Sequence, residues 1–185
     1  MTARVTGLGH VGIYVQDLDA MTAFYRDFMG MTVTKRNDSM AFFSADPYGV
    51  DHEIALMKGR PGPEDPHLIN QISLRVNSLD DLRDFHDRVK ERGFQIEQLV
   101  CHASAIGCYF RDPENNVTEV FWVTGLTSWA PVGVPIDIDR PDQEVLDEVY
   151  AIWQSVRHVE MGSPPDAETQ AMIRDMVTGA RAPAS

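Results

Sequence analysis

"HVGIYVQDLD", residues 10–19, and "QISLRVNSLD", residues 71–80, carry one pattern at an offset of 61 positions. Val11 matches Ile72, Ile13 matches Leu74 and Val15 matches Val76. Leu18 meets Leu79, Asp19 meets Asp80, and Phe24 meets Phe85 further on. Such matches mark an internal repeat, and a repeat fixes the architecture. In each copy apolar residues alternate with others, as in a strand with one oily face. His10, Gly12 and Tyr14 share the opposite face in the first copy. Gln71, Ser73 and Arg75 share it in the second.

Asp19 and Asp80 are expected as N-caps, since a carboxylate can accept the free amides of a first helical turn. The helices that follow place Met21, Phe24, Tyr25 and Phe28 on one stripe, and Leu82, Phe85 and Val89 on the other. Gly30 and Gly93 suit left-handed helix exits. Three strands then fit each copy: about 31–36, 40–45 and 51–57, then 95–100, 105–111 and 116–123. The expected fold is α+β, two βαβββ modules (7–57 and 68–123) forming a curved mixed sheet, a cup. The Gly/Pro-rich stretch 58–67 is the expected linker. Residues 1–123 make the expected domain, and 124–185 a helical extension with helices after Pro141 and over about 166–179.

The chain has 185 residues and a formal net charge of −12. That balance argues against nucleic acid or an anionic membrane as partner. It leaves room for a small anionic substrate held by local arginines. Two cysteines make no disulfide framework. No apolar run approaches a membrane span, and the first residues lack a signal-peptide core, so the expected setting is cytoplasmic.

If helices cover the face of Val11, Ile13 and Val15, then His10 and Gln71 point into the cup. In the last strand, "TEVFW", residues 118–122, Glu119 points the same way. A carboxylate inside a cup is costly unless paired or metal-bound. His10, Gln71 and Glu119 are thus candidate ligands of a divalent metal. A lone strand histidine is more often structural; the repeat and Glu119 are what raise His10 above that. Tyr109 alone reads as a core aromatic, Cys101 and Cys108 as buried thiols, and His67, His86 and His158 as linker or exposed residues.

The repeat, His10 and "DPENNVTEVFW" (112–122) together resemble the vicinal oxygen chelate superfamily, which includes glyoxalases, extradiol dioxygenases and antibiotic-resistance proteins. The resemblance covers about residues 7–123. "DHEIALMKGRPGPEDPHLINQISLRV" (51–76) looks most like the extradiol ring-cleaving dioxygenases. That resemblance implies a catechol-like substrate, dioxygen and Fe(II). It makes His10 and Glu119 iron ligands, His52 the acid–base histidine and Tyr109 the tyrosine that binds the catecholate. His102 falls near a second histidine behind the ligands. The family's second iron histidine falls on Gln71.

Strand parity favours a different inward residue, Glu53, because Ile54 and Leu56 should face the helices. The set His10, Glu53, Gln71 and Glu119 resembles a glyoxalase site, which implies Zn, Ni or Mn. A third expectation is a small-molecule binding protein without catalysis. A homodimer or higher homo-oligomer is expected throughout.

Overall fold

A computed structural model describes residues 3–28, 30–60, 69–111 and 117–179. Most of the expected linker and the "DPENN" turn lie outside the described residues.

The chain runs β1 (Gly7–Val15), α1 (Leu18–Ala23), a π-helical turn (Phe24–Phe28), β2 (Thr32–Arg36), β3 (Met40–Ser44) and β4 (Ile54–Lys58). The second copy is β5 (Ile69–Val76), α2 (Leu79–Glu91), β6 (Ile96–Cys101), β7 (Ala105–Arg111) and β8 (Val117–Val123). The tail adds β9 (Val134–Pro135), α3 (Asp142–Val156) and α4 (Ala167–Val177). One sheet joins all nine strands in the order β2-β3-β4-β1-β5-β8-β7-β6-β9. Each module's last strand lies parallel to its first: β4 to β1, and β8 to β5. The modules meet where β1 and β5 run antiparallel, with register shifts on either side of His10–Val11. The repeat thus produces two matching half-cups.

Local signals set the helix ends. Gly30 and Gly93 have φ of 72° and 69°, the left-handed values glycine adopts most cheaply. The caps lie two residues before the expected ones. Asp17 Oδ1 accepts from the Ala20 amide, and Ser78 Oγ accepts from Asp81. Asp19 and Asp80 sit inside the first turn instead, where a negative charge still suits the helix dipole.

The two modules have separate cores of unequal size. Leu18, Ala41, Phe43 and Leu56 centre the first. The second joins Val76, Leu82, Ile106 and Val120 to tail residues Val132, Ile138, Val145, Val149, Ile152 and Val156. The tail is therefore packed into the second module. His86, expected at the surface, is buried, because residues 137–142 lie against α2. There Arg83 donates to the Ile138 and Arg140 carbonyls and pairs with Asp142. No helix among the described residues is long and apolar enough to cross a membrane.

Candidate metal and substrate site

The concave face of the sheet encloses a cavity of about 510 Å³. Its floor lies where β1, β5, β8 and β7 meet. Alternation brings His10, Gln71, Ser73, Glu119 and Tyr109 to that face. Ser73 lies opposite both His10 and Glu119 in the sheet, and Glu119 lies opposite Tyr109.

The side chains converge. Gln71 Nε2 is 3.1 Å from His10 Nε2 and donates to Glu119 Oε2 at 3.1 Å and to Ser73 Oγ at 3.1 Å. Ser73 Oγ is 3.0 Å from His10 Nε2, and His10 Nε2 is 3.9 Å from Glu119 Oε2. His10 is 8 % and Glu119 2 % exposed, so these groups face one another rather than water. Burial pushes the His10 imidazole down to about 2, with help from repulsion by His52 and His102. It is thus neutral, the form that binds metals. Gly107 makes room for the carboxylate: a Cβ there would lie 2.2 Å from Glu119 Oε1.

His52 reaches the same space. Its ring centroid is 4.2 Å from that of His10, and it packs edge-on to Phe42. Its Nδ1 lies 3.0 Å from Asp51 Oδ2, which also accepts from Lys35 Nζ at 2.8 Å. A carboxylate only accepts, so Nδ1 carries the proton and Nε2 stays free to take one. Burial alone would raise the Asp51 carboxyl, but Lys35 and the bond from His52 outweigh it and hold it well below the usual range. The buried Lys35 ammonium and Asp51 form a fixed charge pair behind His52. Neither residue stood out in the sequence.

Glu53 does not join the cluster. Regular strand geometry begins only at Ile54, so parity does not apply to the residue before it. The Glu53 backbone is bonded on both sides, to Phe43 and to Val11. Its carboxylate turns away to accept from the Ala45 amide at 2.8 Å. The inward neighbour is His52.

Tyr109 and His102 form a second pair. His102 Nδ1 is 2.7 Å from the Val132 carbonyl and its Nε2 is 3.0 Å from the Tyr109 hydroxyl. A carbonyl only accepts, which puts the His102 proton on Nδ1 and leaves Nε2 to receive the phenol proton. Burial lowers the His102 imidazole below its ordinary range, against the pull of Glu119. Burial and then Glu119 raise Tyr109 well above its own, so it remains a neutral hydroxyl. His102 is aimed by a tight turn in which Ala103 takes φ 63°. The tail forms the roof: Leu126, Ser128, Trp129 and Val132 line the cavity. Ser128 Oγ is buried and has no hydrogen-bond partner among the described residues.

The donor set suits a divalent cation. One neutral imidazole and one carboxylate face a common point. Gln71 now uses its N–H groups to satisfy both. Rotating its amide by half a turn would present the oxygen as a third ligand. Elsewhere among the described residues, His86, Asp87 and Asp139 also approach one another, but Lys90 already pairs with both carboxylates.

Comparison with known proteins gives a consistent picture. The family model described as Glyoxalase/Bleomycin resistance protein/Dioxygenase superfamily matches residues 7–120. Biphenyl-2,3-diol 1,2-dioxygenase 3 of Rhodococcus globerulus is 29 % identical over 119 residues, 61 % of this chain and 61 % of that protein. The manganese-dependent 2,3-dihydroxybiphenyl 1,2-dioxygenase of Geobacillus genomosp. 3 is 22 % identical over 99 residues, 54 % of this chain and 30 % of that protein. The chain therefore aligns with less than two thirds of either relative. Among solved structures, the Mn(II)-bound glyoxalase from Novosphingobium aromaticivorans superposes with a TM-score of 0.57 at 26 % identity, covering 65 % of this chain and 40 % of that one. A homoprotocatechuate 2,3-dioxygenase variant from B. fuscum gives 0.57 at 19 % identity, covering 66 % and 34 %.

Proposed function

The chain belongs to the glyoxalase/bleomycin resistance protein/dioxygenase superfamily, and from that premise we propose that it is a metal-dependent extradiol dioxygenase of a catechol-like substrate. The observation that carries this reading is the position of His52: beside His10, oriented by Asp51, with Nε2 bonded to nothing among the described residues. A ring-cleaving reaction on a diol needs a base next to the metal position, and an imidazole whose other nitrogen is held by a carboxylate can take that part.

In this reading His10, Glu119 and the turned Gln71 hold the cation, Fe(II) or Mn(II), which supplies a charged centre for a catecholate and dioxygen. His52 Nε2 accepts a proton from one substrate hydroxyl and returns it later in the turnover. Asp51 steadies the imidazole while that proton is on it. Tyr109, which rests against His102 with its proton toward Nε2, would turn that proton from His102 to a substrate oxygen. Met40, Phe42, Phe121 and Trp129 give the ring an apolar wall and exclude water.

A second reading, a glyoxalase-like isomerase or lyase, draws on the likeness to the Mn(II)-bound glyoxalase. The use of the Glu53 carboxylate by Ala45 weighs against its four-ligand set. The deciding experiment loads metal-free protein with Fe(II) or Mn(II) without oxygen. It then measures oxygen uptake and the ring-opened yellow product on a panel of catechols. Cleavage supports the proposal. Metal binding without cleavage of any catechol overturns it.

A further inference from the structure

One cationic group of the site stands outside the site's own ion pairs. Among the described residues, two cationic side chains line the cavity, Lys35 and Arg75. Lys35 is committed to Asp51. Arg75 has no ion-pair partner among the described residues, in a chain with 28 acidic groups. It stands on β5 at the same face as Gln71 and Ser73, two pleats beyond the ligand position, or roughly 13 Å along the strand. Phe121 lies opposite it on β8 and Gly7 opposite it on β1. Nothing lies within 4 Å of where a Cβ on Gly7 would stand, so the space beside Arg75 is open. Met40, Phe42, Phe121 and Trp129 supply apolar wall, and Gln98, Ser104, Thr127 and Ser128 add uncharged polar groups.

We propose that Arg75 is the specificity-determining residue of this site and binds a carboxylate carried on a short arm of the aromatic diol. The inference rests on the dioxygenase reading and deepens it. A guanidinium grips a carboxylate through two parallel hydrogen bonds, stronger than neutral ones. A diol held at the floor between His10 and Glu119 needs an arm of a few carbons to span the distance, while Phe121 supports the arm and ring. Uncharged substituents would leave the arginine without a partner.

The test uses matched probes: 3,4-dihydroxyphenylacetate and 3-(3,4-dihydroxyphenyl)propionate against 4-methylcatechol and 4-ethylcatechol. Their affinity for the Mn(II)-loaded protein is measured by calorimetry without oxygen, and kcat/KM is measured with oxygen. The carboxylated probes should bind about 10- to 100-fold more tightly, the size expected of a charge-assisted pair. High salt should shrink that ratio. In Arg75→Met the ratio should fall to near unity, and Arg75→Lys should restore part of it. Equal affinity for both probe types in the unaltered protein, or an undiminished ratio in Arg75→Met, overturns this inference while leaving the dioxygenase reading intact. If no catechol of either type binds or is cleaved, the reading falls and this inference falls with it.

Discussion

Gly107→Ala tests the site where its geometry is tightest. The added Cβ would lie 2.2 Å from Glu119 Oε1, 3.1 Å from Cδ and 3.0 Å from the Tyr109 ring. Ordinary contact starts at 3.4 Å, so the carboxylate oxygen must retreat by about 1.2 Å. Glu119 is almost wholly buried and its other oxygen holds Gln71, which leaves little freedom to move. Metal ligands must sit within about 0.2 Å of their positions. Losing a supporting contact around a metal typically costs about 10- to 100-fold in affinity, or about 1.4–2.8 kcal/mol. Overpacking should also lower the stability of metal-free protein by about 1–3 kcal/mol. Titration with Mn(II) and urea melts measure both. Glu119→Asp in the same background withdraws the carboxylate by one methylene and should recover the stability but not the metal. If Gly107→Ala binds Mn(II) within twofold of the unaltered protein and melts alike, Glu119 is not fixed over residue 107 and the ligand assignment loses its basis.

Three further outcomes are expected. His52→Ala should cut turnover of a catechol by about 10²–10⁴ at unchanged metal content, whereas Glu53→Ala should do neither; loss of metal in Glu53→Ala would favour the glyoxalase reading. Gln71→His should tighten Fe(II) or Mn(II) binding, since imidazole is the better ligand, and an unchanged titration would remove residue 71 from the site. Metal-free protein should lose about 2 kcal/mol of stability between pH 7 and pH 5. The reason is that unfolded His10 takes up a proton below 6.5 while folded His10 holds out to about 2. His102 and His86, also lowered, act in the same direction. Asp51, lowered likewise, has its effect only at more acid pH, below the ordinary carboxylate range. Urea melts of the protein and of His10→Gln check this: a flat profile for both refutes it.

Periodicity made the sheet legible, because alternation over β1 and β5 is set by burial and repeats in two copies. The same alternation brought His10, Gln71 and Glu119 to one face. It also marked Ser73 and Arg75 for that face; an arginine there fits the small anionic substrate that the charge balance left open, whereas nothing in the serine's type singled it out. Parity misled at Glu53 because it assumes a pleat that begins one residue later. Lys35 and Asp51 meet across β2 and the segment before β4, a pairing no local pattern carries. The partner of His102 is a backbone carbonyl, at Val132, which any residue would supply. Helix caps slipped by two because Asp17 and Ser78 compete with Asp19 and Asp80 for the same amides.

The division of the interior into a small first core and a large second core shared with the tail has a kinetic meaning. Segments with fewer buried contacts open at lower free energy, and the two halves need not open together. Native-state amide exchange should therefore find β2 and β3 exchanging through partial opening, while β7, β8 and α3 exchange only with global unfolding. His10 and His52 belong to the looser half, Glu119, Tyr109 and His102 to the firmer one. A cation held between His10 and Glu119 would fasten the looser half to the firmer. Its binding should slow exchange in the first module far more than in the second, so the protection map itself reports whether the two repeats share one metal.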